Sequence, residues 1–385
     1  MSSLPAPIYG TTDPAFKAVR DAFASNFEAG LELGAALSIS IEGRNVVDLW
    51  GGYVAEERAW PWGPDTVACT FSCSKGIVAV LALLLVEQGR LDLDAPVAQY
   101  WPEFAQAGKD EIPVRWLLTH EAGVSAITKE LPYGALSDWD LMVEALAEQE
   151  PLWTPGEGHG YHGVTYGHLV GEVIRRVTGG TVGQFMRAAL GDPLHVDLLM
   201  PLPVSAERRT AAMVLGDYAE KSFFSHWGPD DLGPKSFGNP PEAVDPNHAN
   251  TRAWRDAEIP MGNIFANAHS LDRVYSMLAC NGSIDGKTLL SADLVHEGGR
   301  VHVSGMDRVM QLPTAFGLGF EHTIPEWQFG PNPNTYGHNG SGGSLGMVDP
   351  DAQLSLGYVM NRMVWGETRD DPRWPAIFDA LYGSL

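Results

Sequence analysis

Apolar residues recur at Phe16, Val19, Phe23 and Phe27, the spacing of a helix with one buried face, and Asp13-Pro14 just ahead of them is a helix-start pair. Ala35 to Ile41 alternates instead, with Leu37, Ile39 and Ile41 against Ser38 and Ser40; Glu42-Gly43 can turn, and Val46 to Trp50 is apolar again. That pattern predicts an antiparallel hairpin. Ile77 to Val86 fits neither period, being apolar at every position, free of proline from Ser72 to Gln88 and followed by Gly89. It predicts a helix buried on all sides, with the glycine closing it.

Between Leu91 and Arg187 the periodicity is mainly helical, most clearly over Pro113 to Leu118, Asp138 to Gln149 and Tyr166 to Thr178. Gly216 to Gly262 is rich in Gly, Pro, Asn and Asp yet holds Phe223, Phe224, Trp227, Phe237 and Trp254, which predicts an ordered, irregular excursion beside a binding cleft. Helical spacing returns at Ser270 to Leu278. Strands are predicted at Phe316 to Gly319, Gly346 to Val348 and Leu354 to Met360, and a helix over Trp374 to Leu381. Strands at both ends of the sequence around a helical middle give an α+β class. An antiparallel sheet flanked by helices is drawn from residues 1–60 and 265–385, a mainly helical unit spans 61–264, and the ligand site lies in the cleft between them.

Composition narrows the function. With 385 residues, 44% of them hydrophobic, the chain can bury a large core; 25 basic against 48 acidic residues give a net charge of -23, which excludes the basic patches of a nucleic-acid binder. No apolar run reaches the ~18 residues a membrane span needs, and Met1 to Arg20 has no signal-peptide pattern, so a cytoplasmic protein is expected. Cys69, Cys73 and Cys280 are an odd number without metal-ligand spacing and read as reduced thiols.

The chemistry begins at the mouth of the buried helix. Ser72 and Lys75 are three residues apart, hence on one helical face, and of the seven lysines only Lys75 has a serine in that position. An ammonium against a ten-residue apolar run is costly unless it gives up its proton. A neutral Lys75 would take the proton of Ser72 and make it a nucleophile, while the helix N-terminus supplies a free N–H to the developing oxyanion. Cys73 competes as a nucleophile but does not share the face of Ser72 and Lys75, and packing is the expected role for it.

S-C-S-K at Ser72 to Lys75, L-L-T-H-E-A-G at Leu117 to Gly123, P-G-E-G-H-G-Y-H-G-V-T-Y-G at Pro155 to Gly167 and G-H-N-G-S-G-G-S-L-G at Gly337 to Gly346 together resemble the class C β-lactamase and penicillin-binding-protein group, most closely the family VIII carboxylesterases. The resemblance covers nearly the whole chain. It implies an acyl-enzyme on Ser72, Lys75 as base, and Tyr161 in the place of the Y-x-N tyrosine that shuttles the proton to the leaving group. His338-Asn339-Gly340 stands where the β-lactamases have K-T-G, lining the substrate cleft, with the N–H of Ser341 joining that of Ser72 as the oxyanion hole. His162, beside Tyr161, is a further expected substrate contact. Two departures bear on the substrate: Gly163 replaces the asparagine of Y-x-N, and no lysine stands at the K-T-G position. Both remove groups that hold a β-lactam, so the resemblance implies a small-molecule carboxylic ester, with β-lactamase, D-aminopeptidase or linear-amide hydrolase activity, or an inactive penicillin-binding-like protein, as alternatives.

Gly342 to Gly346 also matches the G-x-S-x-G elbow of α/β-hydrolases, but that elbow needs a following helix and a later histidine, and His338 is the last of twelve. Ser344 is therefore set aside. His120 is expected to anchor a loop. No H-E-x-x-H, Cys/His cluster or nucleotide-binding glycine motif occurs, so neither metal nor cofactor is expected.

Overall fold

The computed structural model describes residues 6–216, 227–326, 328–363 and 371–385. Among them the main sheet has nine strands: β1 (Ile8–Thr12), β2 (Gly34–Ile41), β3 (Arg44–Gly52), β4 (Val303–Met306), β5 (Pro313–Phe316), β6 (Glu321–His322), β7 (Tyr336–Asn339), β8 (Leu345–Asp349) and β9 (Leu354–Met360). They lie in the order β1-β3-β2-β9-β8-β7-β6-β5-β4, every pair antiparallel. The two ends of the sequence thus meet at the β2–β9 pairing. Glu42 and Gly43 join β2 to β3 with φ of +50° and +76°, the backbone that a two-residue type I′ turn requires.

The helices follow the expected spans closely: α1 (Lys17–Glu28), α2 (Cys73–Glu87), α3 (Trp139–Glu148), α4 (Tyr166–Thr178), α5 (Ala268–Ala279) and α6 (Trp374–Tyr382). Every residue of α2 from Cys73 to Leu85 is buried, as its unbroken apolar run requires, and Gly89 ends it at φ +65°. It packs against α4 and β7. Around these, a three-stranded sheet of Ala68–Cys69, Phe265–Ala266 and Leu198–Leu199 carries the chain up to the start of α2.

Helices cover both faces of the main sheet. Tyr358 of β9 meets Phe23 of α1 at 6.2 Å between ring centres, whereas the neighbouring Gly357 lies against the backbone of α5. The alternation in β2 is real, but its polar positions do not face water. Ser38 and Ser40 donate to the Asp272 carboxylate of α5 at 2.9 and 2.7 Å, and Ser355 of β9 adds a third bond at 2.6 Å. A buried carboxylate is tolerable only with such donors, so the serines mark a helix-covered face.

One expectation is corrected. The strand expected at Phe316–Gly319 ends at Phe316; Gly317 then donates to the Phe320 carbonyl and Gly319 turns at φ +81°, where a Cβ would strike Ala79 and Tyr166. In the excursion at 216–262, residues 227–262 hold short helices at Leu232–Phe237 and Arg252–Asp256, while Phe223 and Phe224 lie outside the described residues.

Arg373 ties the C-terminal segment to the sheet. Fully buried, it donates to Asp371 (2.5 Å), to Glu32 (3.0 Å) and to the carbonyls of Arg362 and Gly342. Removing one partner of a buried ionic network leaves the others uncompensated, so Arg373→Ala is expected to lose about 3–5 kcal/mol in urea unfolding. A loss below ~1 kcal/mol would show that the network stabilises nothing.

Candidate active site

Ser72 is the N-cap of α2, placed there by a strained turn. Phe71, just before it, has φ +44°, a backbone that costs a bulky residue on the order of 1–3 kcal/mol and that turns the strand at Ala68–Cys69 directly into the helix. Nothing in the sequence signals that strain. Lys75, one turn on, is fully buried, and its Nζ lies 3.0 Å from Ser72 Oγ and 3.0 Å from the Met261 carbonyl. Burial lowers its pKa from 10.5 to about 7 against the opposing pull of the Glu321 carboxylate. The amine beside Ser72 is therefore about half deprotonated near pH 7 and increasingly neutral above it.

Tyr161 closes the third side. Its phenol hydrogen-bonds with Ser72, its ring stacks on Phe316 at 6.0 Å, and Lys75 Nζ sits 5.0 Å from its ring centre. Burial holds the phenol well above its usual pKa of 10, so it carries its proton and can give it up only when another is supplied in exchange. Its main-chain N–H donates to both oxygens of the buried Asp307 carboxylate, at 3.1 and 3.0 Å, which fixes the loop from the far side.

Gly340 explains how β7 reaches this corner. A Cβ there would come within 2.2 Å of the Thr70 carbonyl and 2.3 Å of Ser344 Oγ, so only glycine lets the strand end lie against the turn that presents Ser72. Ser341 follows, exposed. Among the described residues neither its N–H nor that of Ser72 donates to a protein acceptor.

Ser344 is buried and donates to the Thr70 carbonyl at 2.7 Å, so it pins this corner rather than facing substrate. Cys73 is likewise tied inward, its thiol on the His338 carbonyl at 3.0 Å and its pKa pushed up to about 12 by burial. Neither is a usable nucleophile.

The sequence profile of the Beta-lactamase family matches residues 23–381. The chain belongs to the Beta-lactamase family. It is a serine hydrolase of the β-lactamase fold, and its nearly full-length similarity extends to esterases and penicillin-binding-protein homologues. It is 34% identical over 370 residues to the esterase/beta-lactamase LipL of Mycobacterium tuberculosis, covering 93% of this chain and 83% of that one. The crystal structure of a family VIII carboxylesterase superposes with a TM-score of 0.90 at 37% identity, covering 98% of this chain and all of the other. A penicillin-binding protein homologue from Caulobacter crescentus gives 0.91, also at 37% identity and with the same coverage.

Within this Beta-lactamase family member most of the expected site residues converge, but His162 does not. Its ring is fully buried, Nε2 accepts from the Val124 N–H at 3.1 Å and Nδ1 meets the Gly160 carbonyl at 2.7 Å. With both nitrogens committed to backbone, it shapes the Tyr161 loop and cannot contact substrate. His120 has the anchoring role expected of it, accepting from the His162 N–H through Nδ1 and from the Gly160 N–H through its carbonyl. His338 borders the site but is buried and neutral, its pKa lowered to about 3 chiefly by desolvation, so its 3.9 Å approach to Glu321 is not an ion pair. Asn339 turns its amide to Glu321.

Gly163 shows why the Y-x-N asparagine is missing. A Cβ on it would lie 2.6 Å from the ring of Phe237, which packs between Tyr161 and Trp227 at 6.2 and 5.5 Å. An aromatic wall from the irregular segment thus fills the space of an amide side chain. Asp307, Glu321 and the Met261 carbonyl are the functional groups that sequence reasoning missed. A lone acid in a loop and a backbone oxygen carry no motif.

Proposed function

We propose that the protein is a carboxylesterase acting through an acyl-enzyme on Ser72. The observation that carries this reading is the 3.0 Å contact between Ser72 Oγ and a fully buried Lys75 whose other close partner is a neutral carbonyl. Ser72 attacks the ester carbonyl as Lys75 takes its proton, and the N–H groups of Ser72 and Ser341 hold the oxyanion. Tyr161 gives its proton to the departing alcohol and is resupplied from Lys75. Water then attacks the acyl group by the reverse route, releasing the acid and restoring Ser72. No metal or cofactor enters these steps.

Phe237 at Gly163 and a neutral His338 support an ester over a β-lactam, because neither can hold an amide side chain and a carboxylate as an asparagine and a lysine would. The name of the LipL relative keeps β-lactams in the test as a side activity. Among the described residues no helix is long and apolar enough to cross a membrane, and all three cysteines are unpaired, which supports a cytoplasmic location.

The test is turnover of p-nitrophenyl acetate and butyrate beside nitrocefin, with mass spectrometry after fluorophosphonate treatment. Ester turnover well above nitrocefin turnover is expected, with one adduct on the peptide bearing Ser72. An adduct elsewhere would overturn the proposal. An adduct on Ser72 without ester turnover would make the protein an acylated binder instead.

A further inference from the structure

Tyr161 must deliver a proton to the departing alcohol, and a phenol can do so only from hydrogen-bond distance of the leaving oxygen. Asp307 bears on where that phenol stands. Its buried carboxylate takes the Tyr161 N–H at 3.1 and 3.0 Å and is itself locked into its own loop. Oδ1 accepts from the N–H groups of Val309 and Met310, each at 2.8 Å, and Oδ2 from the Thr314 hydroxyl at 3.2 Å. A buried acceptor with several donors is held to one position.

Thr314 connects this carboxylate to the ring packed on the phenol. It lies on β5 two residues before Phe316, so the two side chains leave one face of the strand, and Phe316 is stacked on Tyr161 at 6.0 Å. Asp307 thus reaches the tyrosine twice, through its main chain directly and through its stacking partner by way of Thr314. His159 completes the seam, its Nε2 meeting the Thr314 hydroxyl at 2.7 Å and its carbonyl accepting the Arg308 N–H at 3.0 Å. On the other side His120 accepts from the Gly160 and His162 N–H groups. Of these two anchors, Asp307 is the one bonded to the main chain of Tyr161 itself.

We propose that Asp307 is the positioning residue of the proton donor, setting Tyr161 at the distance from which a poor leaving alcohol is protonated. This rests on the carboxylesterase reading with Tyr161 as its acid, and it names the esters that depend on Asp307. A p-nitrophenolate leaves without a proton, whereas an aliphatic alkoxide needs one. A misplacement of about 1 Å can cost ~10²-fold in a step that requires alignment, so a shifted phenol penalises alkyl esters selectively. The main-chain bond needs an acceptor oxygen at position 307, which an amide can also supply.

The experiment measures kcat/KM, which reports acylation, on p-nitrophenyl butyrate and on ethyl butyrate for the intact wild type and for Asp307→Ala, Asp307→Asn and Tyr161→Phe. Asp307→Ala is expected to lose at least ~10-fold more on the ethyl ester than on the p-nitrophenyl ester. Asp307→Asn, whose amide oxygen can still accept the Tyr161 N–H, should recover most of that difference. Tyr161→Phe should show the same skew, larger, and adding Asp307→Ala to it should not widen the skew further. A merely structural anchor would lower both esters alike. Should Asp307→Ala fold poorly, Thr314→Val decides, since it removes only the hydroxyl that donates to Oδ2; a skew of about threefold is expected. Equal losses on the two esters in Asp307→Ala, or in its place in Thr314→Val, would overturn the proposal, as would a Tyr161→Phe protein without the skew. No wild-type turnover of either ester would instead strike at the esterase reading itself.

Discussion

Replacing Ser72 with alanine is expected to lower p-nitrophenyl butyrate turnover by about 10³-fold or more, while Cys73→Ala stays within about tenfold of the wild type. The asymmetry follows from the two side chains' surroundings. Ser72 Oγ has an amine 3.0 Å away to take its proton and lies at a helix start whose N–H is open to an oxyanion, whereas the Cys73 thiol is buried, points at the His338 carbonyl and is held protonated to about pH 12. Deleting the serine removes the only covalent path through this corner. Deleting the thiol removes a small packing group. Initial rates and a fluorophosphonate adduct count on each variant read the difference, and a Ser72→Ala protein retaining a tenth of the activity would place the nucleophile elsewhere.

Lys75→Met is expected to lower kcat by about 10² to 10⁴-fold and, at pH 7, to raise the thermal stability of the protein. The first effect is loss of the base. In the wild type the base works only when deprotonated, so kcat/KM should rise with pH through an inflection near 7, and the variant should lack that limb. The second effect comes from linkage. The folded state holds the Lys75 proton with a pKa of about 7 and the unfolded chain with about 10.5. Below 7 both states are protonated and the full penalty of a buried ammonium applies; between 7 and 10.5 the unfolded state binds more protons, so the wild type gains stability as pH rises. The advantage of methionine is thus on the order of a few kcal/mol at pH 7 and shrinks toward pH 10. Melting curves at the two pH values check it, and equal melting temperatures at pH 7 would show that the amine is solvated.

The helix that carries this pair was legible because ten consecutive apolar residues leave no other placement, and the base was legible because only one lysine adjoined them. The hairpin at Glu42-Gly43 was legible for a similar reason, since its turn chemistry is local. Elements whose cause lies in distant contacts were not. β1 is exposed along most of its length and held chiefly by its ladder to β3, with Arg20 of α1 on the Ile8 carbonyl, so no apolar alternation marks it. Glu321 acquires meaning only when β6 is laid beside β7, and Asp307 only when its loop meets the N–H of Tyr161 across 146 residues of sequence. His162 went the opposite way. Its neighbour Tyr161 suggested chemistry, but its ring is buried between the Gly160 carbonyl of its own loop and the Val124 N–H of a distant one.

Arg373 grips the Gly342 carbonyl, beside the exposed Ser341, from a segment almost at the close of the chain, while β9 beside it zips onto β2 from the opening. On the ribosome, then, Ser72, Lys75 and Tyr161 all emerge long before the strut that steadies the neighbouring loop. A nascent polypeptide must keep its first hairpin waiting, unpartnered along one border, until some three hundred further residues have been made. The corner around Ser341 is therefore tied down only after β9 and the Arg373 segment have joined the sheet.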